Sequence, residues 1–175
     1  MKWFLAFLVL LFNIATSTVP ISPTPTPEII KAGFYKVVKV IDGDTINVEI
    51  NDKSQSVRLI GINSPELKDP RKPVECFALE ASNKAKQVLT GKIVRLESDP
   101  TQGDKDKYKR LLRYVFLENG TNFNKMMIEE GFAFEYTYAT PYKYQLEFKQ
   151  AQKTAEENKK GLWADTTCQI SPKIE

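Results

Sequence analysis

The sequence of 175 residues contains no histidine and only two cysteines. The absence of histidine excludes Ser-His-Asp and Cys-His catalysis, a histidine general base and histidine-ligated zinc. Hydrolysis by such a chain would have to use carboxylates, arginines and a hard metal ion. A strong charge of one sign is also lacking, because 25 basic residues face 22 acidic ones and the net charge is +3. Only local clustering of charge could therefore indicate a polyanionic partner.

A hydrophobic run long enough to span a membrane is not found at the start of the chain. Residues 3–12 are apolar, but a spanning helix needs ~20 such residues. Lys2 precedes this run and the small residues Ala15, Thr16 and Ser17 follow it, which is typical of a secretory signal peptide over 1–17. We expect an exported protein, extracellular or periplasmic, with no stable membrane partner. The alternative is a surface protein tethered by an uncleaved 1–17 segment.

The remaining chain predicts one domain of ordinary size, expected to be a monomer. Removal of Lys2 leaves 24 basic against 22 acidic residues, a net charge of +2. A proline-rich stretch at 18–33 predicts an extended linker, the domain is predicted over 34–165, and 166–175 form a tail. In an exported protein Cys76 and Cys168 are predicted to form a disulfide, the alternative being two free thiols.

Hydrophobic periodicity predicts five strands, at residues 34–41, 45–50, 55–62, 92–97 and 111–117. It also predicts three helices, at residues 75–89, 122–131 and 145–159. Asn122 is expected to cap the second helix. Three consecutive strands followed by a helix and two more strands predict an α+β fold with a mainly β core, a five-stranded Greek-key barrel of the OB-fold type with about three packed helices.

Charged and polar side chains are placed where strands begin or end. Asp44 starts the second strand and Asn63 follows the third, so their oxygens and a nearby backbone carbonyl would suit Ca²⁺ or Mg²⁺ at one rim of the barrel. Asp42 and Gly43 by themselves predict only a hairpin turn. Arg58 and Arg110 each flank strand residues, and arginine binds phosphate with a planar pair of donors. Taken singly, each arginine is equally consistent with a surface ion pair.

Five spaced motifs together resemble the staphylococcal nuclease (thermonuclease) family, and they agree with it in order from residue 34 to residue 163. The motifs are Asp42-Gly43-Asp44-Thr45, Arg58-Leu59-Ile60-Gly61-Ile62-Asn63-Ser64-Pro65-Glu66, Glu80-Ala81, Asp106-Lys107-Tyr108-Lys109-Arg110 and Gly161-Leu162-Trp163. The resemblance implies an OB-fold and a Ca²⁺-dependent phosphodiesterase that acts on DNA and RNA with little sequence preference. Its products would carry 5′-hydroxyl and 3′-phosphate ends.

The resemblance also implies roles for individual residues. Glu66 matches the general base, and Arg58 and Arg110 match the arginines that hold the scissile phosphate and stabilise the transition state. Asp44 matches a calcium ligand, and Ser64 matches the position that offers its backbone carbonyl. Two further positions complete this implied site: Asp42 as a supporting acid and Asn63 as the metal ligand where the family has a carboxylate. The missing charge of Asn63 predicts weaker Ca²⁺ binding.

Substrate contacts are implied for residues outside this centre. Lys107 and Tyr108 resemble residues that flank the bound nucleotide, and Tyr136 and Tyr138 resemble tyrosines of the same groove, where an aromatic face can stack on a base. Packing against the barrel would explain these tyrosines equally well. An electropositive rim is predicted from Lys68, Arg71, Lys72, Lys105, Lys107 and Arg113, with a solvated charged loop as the alternative.

Two departures from the family pattern and one competing function remain. Besides Asn63, Lys109 stands where the family often has glycine, which would alter the loop before Arg110 without removing the arginine. The competing function is a nuclease-like module that binds nucleic acid or protein with weak or no catalysis. The joint presence of Arg58, Glu66 and Arg110 favours the enzyme.

Overall fold

The computed structural model describes residues 33–67 and 73–168. The predicted signal peptide, nearly all of the predicted linker and most of the predicted tail lie outside these residues, as do Lys68, Arg71 and Lys72. The described strands are β1 Phe34–Val40, β2 Thr45–Ile50, β3 Lys53–Leu59, β4 Ile62–Asn63, β5 Ile93–Glu97, β6 Leu111–Leu117 and β7 Phe134–Glu135. The described α-helices are α1 Ala78–Leu89, α2 Phe123–Glu129 and α3 Gln145–Glu157, followed by a 3₁₀ turn at Gly161–Trp163.

Five of the strands form a closed barrel in the order β1-β2-β3-β6-β5. β1, β2 and β3 form an antiparallel meander, β6 pairs parallel to β3, and β5 pairs antiparallel to both β6 and β1. Alternation along the strands places Val37, Val48, Val57, Val94 and Val115 in the core. The predicted fold class, an α+β OB-fold barrel with three helices, is confirmed.

The predicted third strand is wrong at both ends. The observed strand β3 begins at Lys53 rather than at residue 55, and it ends at Leu59 rather than at residue 62. Gly61 has a φ of 77° and turns the chain, and a Cβ there would lie 2.6 Å from the ring of Tyr142. Beyond this turn β4 leaves the barrel and pairs with β7, with Ile62 opposite Glu135. Asn63 is thereby carried to the edge of a separate two-stranded sheet.

The predicted helices are correct in number, with shifted ends. α1 begins at Ala78 rather than at residue 75, because Phe77 adopts a left-handed φ of 68° that a helix cannot include. The cap of α2 is as predicted, since the side chain of Asn122 accepts a hydrogen bond from the Lys125 N–H at 3.2 Å. α3 ends at Glu157, two residues before the predicted end. No α-helix in the described ranges is both long enough and apolar enough to cross a membrane.

Asp99 is a buried carboxylate that fixes the long segment between β5 and β6. It accepts hydrogen bonds from the Tyr114 hydroxyl at 2.7 Å, the Lys143 N–H at 2.7 Å and the Thr101 N–H at 2.9 Å. Its side chain therefore joins this segment to β6 and to the chain that precedes α3. Burial opposes the charge, but these hydrogen bonds outweigh burial and lower the pKa of Asp99.

Cys76 and Cys168 form a disulfide, as the sequence predicted. The bridge joins the residue two positions before α1 to the end of the described chain, across a sequence separation of 92 residues. It therefore ties the segment that follows β4 to the region beyond α3.

Replacement of both cysteines by serine should lower the free energy of unfolding by up to ~4 to 5 kcal/mol, because a loop of this length loses much conformational entropy when it is closed. Urea denaturation of the double variant and of the oxidised protein measures the difference. Equal stability of the two would contradict a stabilising role for the bridge.

The Asp99→Asn variant should be less stable than the native protein by about 2 kcal/mol at neutral pH, since hydrogen bonds to a buried charged acceptor are lost. A lowered folded-state pKa gives stability that is present above the unfolded pKa of about 3.9 and is lost as pH falls through the folded value. Denaturation curves at several pH values should show the difference narrowing below about pH 4. A stability difference between the variant and the native protein that is constant across this pH range would show that the Asp99 carboxylate does not have a lowered pKa.

Candidate active site

A cleft of about 960 Å³ opens at one end of the barrel, between the β1–β2 turn, the segment after β3 and the loop before β6. It brings together residues that are far apart in the sequence. The predicted site residues that line it are Asp42, Asp44, Arg58, Asn63, Ser64, Glu66, Lys107, Tyr108, Arg110, Tyr136 and Tyr138. Lys105 lines it as well, whereas Arg113, predicted for the same rim, lies outside it.

Asp44 lies at the centre of the contacts in this cleft. Its Oδ2 accepts a hydrogen bond from the Ser64 N–H at 2.9 Å and forms an ion pair with Nη2 of Arg58 at 3.2 Å. Its Oδ1 accepts a hydrogen bond from the Thr45 hydroxyl at 3.0 Å. One buried carboxylate therefore holds β2, β3 and the segment after β4 in register.

The guanidinium of Arg58 is held in one orientation by four acceptors. Nη1 donates to the carbonyl oxygens of Leu59 at 2.7 Å and Ile62 at 2.8 Å, while Nη2 donates to Oδ1 of Asn63 at 3.2 Å. The ion pair with Asp44 is the fourth contact. Because the chain turns at Gly61, both carbonyls face the same side chain, so the turn that ends β3 also orients Arg58.

Arg110 is oriented by the loop that precedes β6. Its Nε donates to Oδ2 of Asp106 at 2.7 Å, and its own N–H donates to Oδ1 of the same carboxylate at 2.9 Å. Nη1 lies 3.4 Å from the Thr45 hydroxyl. Lys109 adopts a left-handed φ of 64°, a conformation that costs roughly 1 to 2 kcal/mol with a Cβ. The loop thus keeps a turn that suits glycine, and Arg110 stays in the cleft.

Thr45 lies between the two arginines. Its hydroxyl donates to Asp44, which pairs with Arg58, and the same oxygen accepts a longer hydrogen bond from Nη1 of Arg110. Two guanidinium groups therefore face the cleft from either side of a single carboxylate and hydroxyl. Each group offers planar N–H donors to an anion, and at Arg58 the anion would have to replace acceptors that already engage both Nη atoms.

Aromatic side chains form the exposed edge of the cleft. Tyr108 is 63% exposed, and the guanidinium of Arg110 lies over its ring at 5.3 Å. Tyr136 and Tyr138 are also exposed, and their ring centroids are 6.4 Å apart. Exposure of these three rings argues against the alternative that they serve core packing.

Glu66 lines the same cleft, and its backbone is fixed by Glu75. The Glu66 N–H donates to Oε2 of Glu75 at 2.9 Å, and the Glu75 N–H donates to the Glu66 carbonyl at 3.0 Å. Glu75 precedes Cys76, which the disulfide ties to Cys168. The backbone of Glu66 is therefore held from both sides, by the chain from Ser64 and by this pair of hydrogen bonds.

Gly43 allows the β1–β2 turn to approach the segment after β4. A Cβ at this position would lie 2.6 Å from Cβ of Ser64 and 3.3 Å from Cβ of Ala81. The hairpin turn predicted from Asp42 and Gly43 is present, but its close approach also sets the separation of Asp44 from Ser64. Glycine is required here because a side chain would clash with Ser64, and not because the turn needs a left-handed φ.

The donor atoms in the cleft suit a hard divalent cation. They are oxygens of Asp42, Asp44, Asn63 and Ser64, and the described residues contain no group of three His, Cys, Asp or Glu side chains placed to hold a metal. Burial, followed by repulsion from the Asp44 carboxylate, raises the pKa of Asp42 to about 6. Two neighbouring carboxylates in a buried site leave negative charge that a cation would offset, so the residues present fit Ca²⁺ or Mg²⁺.

Three residues of this arrangement were not given a role from the sequence. Thr45 and Asp106 lie inside the motifs named above, close in sequence to Asp44 and Arg110. The sequence could therefore have indicated that they contact these residues. Glu75 gave no such signal, because the sequence does not indicate that its carboxylate contacts a residue nine positions away. Lys72, predicted to bind substrate, lies outside the described residues.

Comparison with known proteins identifies relatives over most of the domain. The family model described as staphylococcal nuclease homologue matches residues 56–165, more than half of the chain. The thermonuclease of Staphylococcus hyicus is 44% identical over 131 residues, which cover 75% of this chain and 76% of that protein. The thermonuclease of Staphylococcus intermedius is 37% identical over 159 residues, with 91% and 92% covered.

A third relative is more distant. Endonuclease YncB of Bacillus subtilis (strain 168) is 34% identical over 128 residues, which cover 72% of this chain and 59% of that protein. The family model and the extent of these alignments agree with the barrel and with the motifs that meet in the cleft. The chain therefore belongs to the staphylococcal nuclease family and is a nuclease-type hydrolase of that family.

Proposed function

We propose that this protein is an exported, Ca²⁺-dependent phosphodiesterase that hydrolyses DNA and RNA with little sequence preference. The products would carry 5′-hydroxyl and 3′-phosphate ends. The observation that carries the proposal is the pair of guanidinium groups of Arg58 and Arg110, on either side of the Asp44–Thr45 contact, in one cleft with Glu66. A phosphodiester in this cleft would lie beside both guanidinium groups and beside one carboxylate that can act as a general base.

The proposed reaction follows from the groups present. The Glu66 carboxylate accepts a proton from water, and the water oxygen attacks phosphorus. A new P–O bond forms, the bond from phosphorus to the 5′-oxygen breaks, and the 5′-oxygen takes up a proton from solvent water as it leaves, while Glu66 returns its proton to the solvent. Arg58 and Arg110 stabilise the negative charge that builds on the phosphoryl oxygens, in orientations fixed before substrate binds. No histidine is needed at any step.

Asp44, Asn63 and Ser64 would hold Ca²⁺, with Asp42 as a nearby supporting acid. Bound there, the ion would supply charge that polarises the phosphoryl group. Asn63 contributes a neutral oxygen that already accepts a hydrogen bond from Arg58 at 3.2 Å. Weak binding is compatible with export, because extracellular calcium sites operate at Kd values of ~10⁻⁴ to 10⁻³ M.

Recognition of the nucleic acid would involve phosphates and base faces rather than base edges. Tyr108, Tyr136 and Tyr138 present aromatic faces on which any base can stack, and Lys105 and Lys107 add positive charge at the same edge. Stacking of this kind tolerates every base, which accounts for the low sequence preference. The disulfide between Cys76 and Cys168 supports export, since such bonds persist in oxidising compartments.

The Glu66→Gln variant tests the enzyme against the competing binding module. Cleavage of single-stranded DNA and RNA in millimolar Ca²⁺ should fall ~10²- to 10⁴-fold, the usual contribution of a general base, and a chelator should stop the native enzyme. Fluorogenic oligonucleotides measure the rate. Glu118→Gln, the same change at an exposed position outside the cleft, serves as the control.

Native protein that binds these oligonucleotides but cleaves none of them across a broad Ca²⁺ range would support the binding module instead. Analysis of product ends by mass spectrometry tests the remaining part of the proposal. Products with 5′-phosphate ends would contradict the predicted bond cleavage.

The Asn63→Asp variant tests the metal ligands. An added carboxylate should lower the Ca²⁺ concentration for half-maximal rate, on the order of tenfold, because ligand charge raises calcium affinity. Titration of activity with Ca²⁺ measures this requirement, and Asn83→Asp on the exposed surface of α1 is the matched control. An unchanged requirement in the Asn63→Asp variant would exclude residue 63 as a ligand.

A further inference from the structure

A second pocket of about 420 Å³, here called the lateral pocket, lies beside the cleft and next to the β2–β3 turn. Its walls come from the end of β2, the start of β3, the loop before β6 and β6 itself. The residues that line it are Ile50, Asn51, Lys53, Gln55, Lys105, Leu111 and Arg113. None of the functions assigned above uses Lys53, and Arg113 was predicted only for the electropositive rim of the cleft.

The lateral pocket and the cleft share a boundary. Lys105 lines both of them. Along β6, Leu112 lines the cleft, while Leu111 and Arg113 line the lateral pocket, as expected from the alternation of side chains in a strand. A polymer that leaves the cleft past Lys105 would therefore enter the lateral pocket.

The lining of the lateral pocket is strongly positive. It includes Lys53, Lys105 and Arg113 and no acidic side chain. Arg113 is held in place, because its Nη1 donates to the carbonyls of Leu112 at 2.7 Å and Asp104 at 3.2 Å and its Nη2 pairs with the Asp104 carboxylate. Asp104 lies outside the lining, where it pairs with Arg113 and also interacts with the charge of Lys105.

The remaining lining residues define the kind of ligand. Ile50 and Leu111 provide apolar surface, and Asn51 and Gln55 provide amides, but no aromatic ring lines the lateral pocket. Such a surface suits the sugar and phosphate of a polynucleotide backbone and offers no platform for a base. A free nucleotide would gain less here than in the cleft, where the tyrosines lie.

The distance from the cleft fits a site several nucleotides away. Lys53 and Arg58 are at opposite ends of β3, five residues apart, which corresponds to roughly 17 Å along a strand. We propose that the lateral pocket binds the backbone of the same nucleic-acid strand, several nucleotides from the scissile phosphate, and so favours long substrates over short ones. This inference rests on the proposed function, because the cleft must hold the strand first.

Lys53→Gln is the clean test, because Lys105 also lines the cleft and Arg113 is engaged in backbone hydrogen bonds. The ratio kcat/KM should fall several-fold for a single-stranded 15-mer and stay unchanged for a trinucleotide. Loss of one phosphate contact should also reduce the slope of log K against log salt by ~0.7 for single strands. Lys53→Arg should retain the native preference, and Lys149→Gln on the exposed face of α3 controls for the loss of one charge.

An equal effect of Lys53→Gln on the 15-mer and the trinucleotide, or an effect no larger than that of Lys149→Gln, would overturn the inference. If the native protein cleaves neither substrate, the proposed function fails. In that case, fluorescence anisotropy with a labelled 15-mer, recorded in the presence of a chelator, measures binding without cleavage and tests the lateral pocket separately. Weaker binding by Lys53→Gln than by Lys149→Gln supports the inference, and equal binding refutes it.

Discussion

The carboxylate of Asp44 accepts hydrogen bonds at both of its oxygens and forms an ion pair with Arg58, and these contacts join three segments of the chain. A buried carboxylate is stable only where such partners compensate its charge. One of these partners, Arg58, is proposed to act on the substrate, while Thr45 contacts Arg110 and Ser64 lies two residues before Glu66. Burial of this single charge therefore orients Arg58 directly, whereas Arg110 is oriented by Asp106.

Other carboxylates fix loops in the same way, by accepting hydrogen bonds from backbone N–H groups. Asp106 accepts from the N–H of Arg110 as well as from its side chain, and Glu75 accepts from the N–H of Glu66. Asp99 anchors the start of the loop that carries Asp106. Arg110 and Glu66 lie on loops, and these loops are fixed by acids that accept hydrogen bonds from backbone N–H groups.

The net charge of the chain is a poor guide to its electrostatics. A value of +3 for 175 residues suggests little attraction for a polyanion. The fold nevertheless concentrates Lys53, Lys105 and Arg113 in the lateral pocket and places Lys107 and the two arginines in the adjoining cleft. The cations of the two pockets adjoin at Lys105, which lines both, although Asp42, Asp44, Glu66 and Asp106 also line the cleft.

Sequence alone predicted the barrel, the number of helices and the Asn122 cap, because hydrophobic periodicity and capping depend on neighbouring residues. It also predicted the disulfide partners, because the chain has only two cysteines. The family resemblance also implied most of the residues that line the cleft, but Arg113 lies outside it. The end of β3 and the start of α1 could not be predicted. β3 ends because Gly61 turns the chain where it packs closely against Tyr142 and Phe148. α1 starts later than predicted because Phe77 adopts a left-handed φ. Tertiary structure alone decided the contact between Glu75 and Glu66, the position of Thr45 between two arginines and the lateral pocket, because each depends on segments that meet only when the barrel closes.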